Sequence, residues 1–416
     1  MEQVVECIAK NDLHESMVRC WRMLETNFPF FQEQEQAARD HSRDDSYRKQ
    51  KESIKKAVLS GTSLLIRNLS HEYPLAFLEV LDDYLFKRFD YSAGLSPSTL
   101  VLLDGETYTV HRRVLESSME TAHGSKTGHL QSWLRHHWIV PASINGIEIK
   151  FRSAPDCIRK ATEERLKAGE MQIYVGSFPD EITPRWLNDN PTKLYAGGLT
   201  DPGKRWEGIL DVLEGAQKAG TSILVLPELT VCPTLRRKVR DWLDDQPDHC
   251  FILVLPGSFH EERNGERFNI AELFNRFGNT VLDHRKLTRY GDSGRQEDIK
   301  TGRRIELLDT PVGLIGIPIC LDFCEEGAPL SSLWEKIGAE WLLVPAFGET
   351  SSIHAHQRRA EELFRKHGTV SVVANQHPEG SDEDHGFVCH TKKAPRPATS
   401  KHRNFSVNIK TSDSDI

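Results

Sequence analysis

Residues 316–326 read GIPICLDFCEE. An apolar run, Gly316 to Ile319, stops at Cys320, and Asp322, Cys324 and two glutamates follow at once. Free cysteine is among the most buried residue types, so Cys320 reads first as a small core residue. The alternative is a strand that holds a nucleophile at its end, facing a cleft. The surrounding chain decides between them.

Around this strand the chain alternates. KLYAGGL (193–199), SILVLPEL (222–229), FILVLPGSF (251–259), WLLVPA (341–346) and VSVVANQ (370–376) are strand-length apolar runs. Between them lie amphipathic helical stretches: KRWEGILDVLEGAQKAG, closed by Gly220, then LRRKVRDWLDDQ, LSSLWEKIG and HAHQRRAEELFRKHG. FNIAELFNRFGNTVLDHRKL (268–287) is two alternating runs about Gly278-Asn279, the pattern of a hairpin. Strands alternating with helices predict an α/β domain built on buried sheets, over residues 191–416.

The first half has a different grammar. Residues 1–60 contain no glycine and one proline, Pro29, and QEQEQAARDHSRDDSYRKQKESIKKAVL is charged with sparse apolar residues. PLAFLEVLDDYLFKRF has helical apolar spacing behind Pro74, which suits a helix start. LDGETYTVHRRVL carries a hairpin-like Asp-Gly, and in SWLRHHWIV the adjacent His136 and His137 read as a helix surface or a domain contact. GSKT at 124–127 lacks the earlier glycine of a phosphate loop. Residues 1–140 are therefore expected as a separate, mostly helical domain. Residues 141–190, with PRWLNDNPTK near their end, are expected as a connecting segment.

Composition narrows the class. The 416 residues exceed one compact core, and 27% charged with 38% hydrophobic residues describe a globular chain. A net charge of −8 argues against general nucleic-acid binding, which needs a basic face. No apolar run approaches the roughly 20 residues of a membrane span, so no membrane association is expected. The N-terminus shows no signal peptide. Eight scattered cysteines form no disulfide framework, which suits a reducing cytoplasm. Cys320 and Cys324 are a CxxxC pair, and His354 and His356 offer two further ligand types; no second pair at metal spacing follows, so no metal site is expected.

Three apolar runs end on reactive groups: LVLPE on Glu228, VLDHRK on Lys286 and IPIC on Cys320. Strand ends meet at one rim of an α/β sheet, where such folds build sites. A thiol attacks a carbonyl or nitrile carbon as thiolate, and its ordinary pKa of about 8.5 calls for a base or a cation beside it. Glu228 can take that proton, return it to a departing amine and activate water. Lys286 can stabilise the oxyanion and favour the thiolate, and the backbone N–H of Leu321 is a second donor candidate.

These motifs resemble the nitrilase superfamily of carbon–nitrogen hydrolases, over roughly residues 190–380. ILVLPEL is similar to its glutamate motif, FNIAELFNRFGNTVLDHRKL to its hairpin and lysine, with Asn269 included, and TPVGLIGIPICLDFCEE to its nucleophile motif. GAEWLLVPA and RRAEELFRKHGTVSVVANQ are similar to its closing strand, helix and strand. The resemblance implies an α-β-β-α sandwich preceded here by the helical domain, with Glu228, Lys286 and Cys320 as catalytic triad. It implies hydrolysis of a small amide, carbamoyl or nitrile group through a thioester, without cofactor, by a homo-oligomer. On this reading Cys320 is the nucleophile, Asp322 anchors the turn after it, and Cys324 packs in the following turn as an ordinary thiol lacking both Glu228 and Lys286.

The chain departs from that pattern in places. Leu321 stands where an aromatic residue is common. The candidate for a second active-site glutamate is Glu297, in GRQEDIKTG, and a surface-loop carboxylate is the other reading. TKKAPRPATSKHR (391–403) reads as a basic mobile segment before a last strand, FSVNI. Two rivals share these residues. In one the fold is a scaffold or sensor whose helical half binds a protein partner. In the other the thioester passes its acyl group to an amine.

Overall fold

The computed structural model describes residues 2–9, 12–27, 31–32, 45–60, 73–88, 98–113, 130–178, 182–187, 190–246, 248–292, 294–325, 330, 332–376, 385–390, 398–399 and 404–410. GSKT, residues 33–44 of the charged N-terminal stretch and most of the basic segment 391–403 lie outside them. The chain forms two compact units, Met1–Ile144 and Asn145–Ile416.

Among the described residues of the first unit are the helices Glu2–Ala9, Leu13–Thr26, Asp45–Ser60 and Pro74–Arg88. Asp12 caps the second through its side chain, which accepts the Glu15 N–H. The unit also carries a three-stranded antiparallel sheet, Ser98–Leu103, Glu106–Arg112 and His137–Pro141, so it is less uniformly helical than its glycine-poor start implies. Asp104 and Gly105, with φ of 49° and 83°, make the turn that favours this hairpin. His136 and His137 are corrected by the structure: both are buried, and His137 lies in a strand with Nδ1 2.8 Å from the Asp82 carboxylate.

The second unit is a four-layer sandwich. One sheet runs, from edge to edge, Ser258–Arg263, Glu266–Asn275, Leu253–Leu255, Ile223–Val225, Glu170–Val175 and Phe405–Lys410, with Thr280–Arg285 paired to Glu266–Asn275. The other includes Gly386–Cys389, Val370–Gln376, Trp341–Phe347, Gly313–Gly316, Arg304–Thr310 and Ile147–Ser153. The sheets face each other, with Thr280–Arg285 against Arg304–Thr310 and Ile223–Val225 against Trp341–Phe347. Helices Pro202–Lys218 and Pro233–Asp245 cover the first sheet through one apolar cluster that includes Ile209, Val212, Leu235, Leu224 and Val254. Helix Thr350–His367 covers the second. The layer order is therefore α-β-β-α.

Residues 141–190 are not a linker. Ile147–Ser153 pairs in parallel with Arg304–Thr310, and Glu170–Val175 pairs with Ile223–Val225, so this stretch places a strand in each sheet. Its polar alternation, IEIKFRS, hid an interior neighbour. Among the described residues no helix is long and apolar enough to cross a membrane.

Candidate active site

The parallel strands Ile223–Val225, Gly313–Gly316 and Trp341–Phe347 end at one rim. Glu228 lies three residues beyond the first and is 2% exposed. Its N–H donates to Ala346 O at 3.2 Å, and the next residue, Leu229, has φ of 57° and donates to Ser258 O. Cys320 lies four residues beyond the second, with its N–H on Pro345 O at 2.9 Å. Its φ of 46° and ψ of −107° place a non-glycine residue in a sparsely populated region, a strain that turns the chain sharply into the helical turn Leu321–Cys324. Lys286 follows strand Thr280–Arg285 and is held by its own N–H on Asn269 O and by the Gly302 N–H on its carbonyl.

These three side chains line one cleft of about 930 Å³. Lys286 Nζ donates to Glu228 Oε1 at 2.9 Å and to Glu297 Oε2 at 3.0 Å. Glu297 is buried, so it is no surface-loop carboxylate. Asn269 Nδ2 bridges the two acids, 2.7 Å from Glu228 Oε1 and 3.1 Å from Glu297 Oε1. The acids differ in what surrounds them. Glu297 also accepts the Tyr290 N–H, and its Oε1 lies 2.7 Å from His260 Nε2. His260 Nδ1 accepts the Ala196 N–H, which fixes the proton on Nε2 and makes that nitrogen the donor. Four donors surround one buried carboxylate.

The electrostatics follow. Burial alone would raise the Glu297 pKa, but Lys286 and His260 hold it well below the usual carboxylate range. Burial alone would lower Lys286, but Glu228 and Glu297 outweigh it and keep the ammonium charged well above its ordinary value. Burial, then the Glu228 charge, push the Cys320 thiol far up; Lys286 and the Phe347 N–H oppose them and lose. At rest the nucleophile candidate is a thiol, not a thiolate, and needs a base.

Asp322 is a hub. Its carboxylate accepts the N–H groups of Leu287 and Thr288 at 2.9 and 3.0 Å, and lies 2.9 Å from His284 Nε2. Trp334 Nε1–H donates to the Asp322 carbonyl at 2.7 Å. Leu321 lines the cleft and opens the helical turn, so its N–H lacks an intrahelical acceptor. Beside Cys324 lies His356, with the Phe323 ring stacked on the imidazole, and its pKa is raised by Cys324 against the effect of burial. His356 Nδ1 is 2.7 Å from Ser352 O, a helix contact rather than a metal ligand. Among the described residues no three His, Cys, Asp or Glu side chains cluster to hold a metal. His260 carries no local signal: in FHEER it looks like one polar residue of a hairpin strand.

The α-β-β-α sandwich brings Glu228, Lys286 and Cys320 to one cleft. Over 162 residues the chain is 27% identical to the omega-amidase NIT2 of Xenopus tropicalis, a match covering 34% of this chain and 56% of that protein. Over 163 residues it is 24% identical to the omega-amidase NIT2 of Bos taurus, covering 35% and 58%. The chain thus spans little more than half the length of these curated relatives. Solved structures similar to it include the NitN amidase from Nesterenkonia (20% identity, TM-score 0.43, 59% of this chain and 94% of that one) and Saccharomyces cerevisiae Nit3, described as a member of branch 10 of the nitrilase superfamily (16%, TM-score 0.42, 58% and 90%). No family model matches the chain.

Proposed function

We propose that this protein is a carbon–nitrogen hydrolase that cleaves an amide through a thioester on Cys320. The observation that carries this reading is the convergence of buried Glu228, Lys286 and Cys320 on one cleft. Glu228 Oε1 accepts from Asn269 and Lys286, which leaves Oε2 to take the Cys320 proton. The sulfur then bonds to the amide carbon, and Lys286 Nζ and the Leu321 N–H stabilise the oxyanion. As the C–N bond breaks, Glu228 returns the proton to the leaving nitrogen. Water attacks the thioester, Glu228 removing its proton; as the C–S bond breaks Glu228 returns that proton to the Cys320 sulfur, and the acid is released. Glu297, locked as a carboxylate by four donors, positions Lys286 and takes no proton.

A scaffold has no use for a charged lysine buried between two acids, which favours the enzyme over the sensor reading. Similarity to omega-amidases supports an amide as substrate. The eight cysteines, all free, support residence in a reducing compartment such as the cytoplasm. Intact-mass spectrometry with a panel of amides tests the reaction: an acyl adduct must appear on wild type and vanish in Cys320→Ala. A folded Cys320→Ala protein turning over at the wild-type rate ends the covalent mechanism.

A further inference from the structure

The second unit exposes three large apolar side chains among its described residues: Trp186, Phe277 and Tyr290. Phe277 sits at the tip of the 275–280 hairpin. Trp186, 37% exposed, and Tyr290, 43% exposed, both line the cleft that holds Cys320. Large aromatic rings left open to solvent at a concave site mark a contact surface for a ligand.

Trp186 is held in place. It ends the strand Pro184–Trp186, paired with Ala196–Leu199 across a register shift, and its ring meets His260 edge-on at 6.4 Å and 66°. His260 stacks on Tyr195 at 5.1 Å and reaches Glu297. Trp186 is thus the outer member of an aromatic row that leads inward to the acids. The cleft is also large. At about 30 Å³ per water-sized group, an amide of five heavy atoms fills about 150 Å³ of the 930 Å³ available. The charges at the mouth matter too. Arg295 pairs with Asp292 at 3.3 Å, and the exposed Glu349 stands on the same lining. Burial, then Asp292 and Glu349, raise the Tyr290 phenol, with Arg295 opposing them.

Resting on the hydrolase reading above, we propose that the cleft selects an amide whose body carries a planar aromatic group without negative charge, seated against Trp186 and Tyr290 while its carbonyl lies at Cys320. The bulk fills the cleft, the ring covers the two exposed aromatics, and an anionic tail meets repulsion from Glu349 and Asp292.

Ligand-observed NMR titration of the Cys320→Ala protein tests this without turnover. The probes are 3-phenylpropionamide, propionamide and succinamic acid at pH 7.5. Two aromatic contacts should make 3-phenylpropionamide at least about tenfold tighter than either other probe. Adding Trp186→Ala or Tyr290→Ala should shrink that ratio several-fold, with melting temperatures verifying the fold. Equal affinities, succinamic acid binding tightest, no binding by any probe, or a ratio unmoved in both variants overturns the proposal; the first three need neither Trp186→Ala nor Tyr290→Ala. The two readings separate on the wild type. Selective binding without hydrolysis refutes the reaction and spares the selectivity, whereas hydrolysis of propionamide as efficient as that of the aryl amide does the reverse.

Discussion

Glu228 and Cys320 hang from neighbouring carbonyls of one strand: the Glu228 N–H donates to Ala346 O and the Cys320 N–H to Pro345 O. They belong to loops that follow strands in different sheets. The strand Trp341–Phe347 serves both, so the carboxylate and the thiol share a single backbone reference. Small residue shifts in either loop are resisted by the same rigid element.

Asp322 ties the third member to this pair, because it grips the two residues after Lys286. Asp322→Ala leaves the buried N–H of Leu287 without its acceptor. Urea unfolding should show a loss of about 3 kcal/mol or more, and Asp322→Asn, which keeps the shape, should lose less. Equal stability of Asp322→Ala and wild type would remove Asp322 from this role.

The raised Cys320 thiol has a visible signature. Its alkylation by iodoacetamide, followed by peptide mapping to separate it from the other cysteines, should still be rising above pH 9, beyond the ordinary thiol range. The Glu228 charge contributes to that rise. Glu228→Gln should therefore move the alkylation curve to lower pH while turnover is lost. Superimposable curves would count against the assigned electrostatics.

Stability should depend on pH through Glu297 and Lys286. The Glu297 pKa is depressed on folding, so its contribution is present above the unfolded value of about 4.3 and lost as pH falls toward the folded one. The Lys286 pKa is raised, so its contribution is complete below about 10.4 and lost as pH rises through the folded value. The stability deficit of Glu297→Gln, measured by denaturant unfolding, should be constant between about pH 5 and 9 and shrink in more acidic buffer. A deficit that grows with acid contradicts the sign.

Gly257 is required by space and by conformation. Its φ is +73°, and a Cβ there would sit 2.0 Å from Pro227 O, beside Glu228. Gly257→Ala should cost about 3 kcal/mol or more and displace the base, lowering turnover together with the melting temperature. A melting temperature within a degree of wild type would refute it.

The site was legible where chemistry coincided with a strand end. Glu228, Lys286 and Cys320 each close an apolar run, and that local signal survives folding. Asp322 was legible as a turn anchor, but not its reach to Leu287, since a contact across 35 residues leaves no periodic trace. His260 and the environment of Cys324 were invisible for the same reason: His356 approaches from a different helix. The strand Ile147–Ser153 was missed because its polar face alternates as an edge or linker would, while pairing along Arg304–Thr310 decides its place.

The strand Phe405–Lys410 lies along Glu170–Val175, and its Asn408 meets Glu170 from 238 residues away. This has a consequence during biosynthesis. At about 5–20 residues per second, the ribosome needs on the order of ten seconds or more to deliver that flank after Glu170–Val175 has emerged. Until then the backbone of Glu170–Val175 is an open sheet edge, able to pair with another nascent chain. Closing so long a loop is also slow, because its entropy is lost before any contact rewards it. The last strand thus acts as a late seal, and the interval before it docks is when this sheet is most exposed to misassembly.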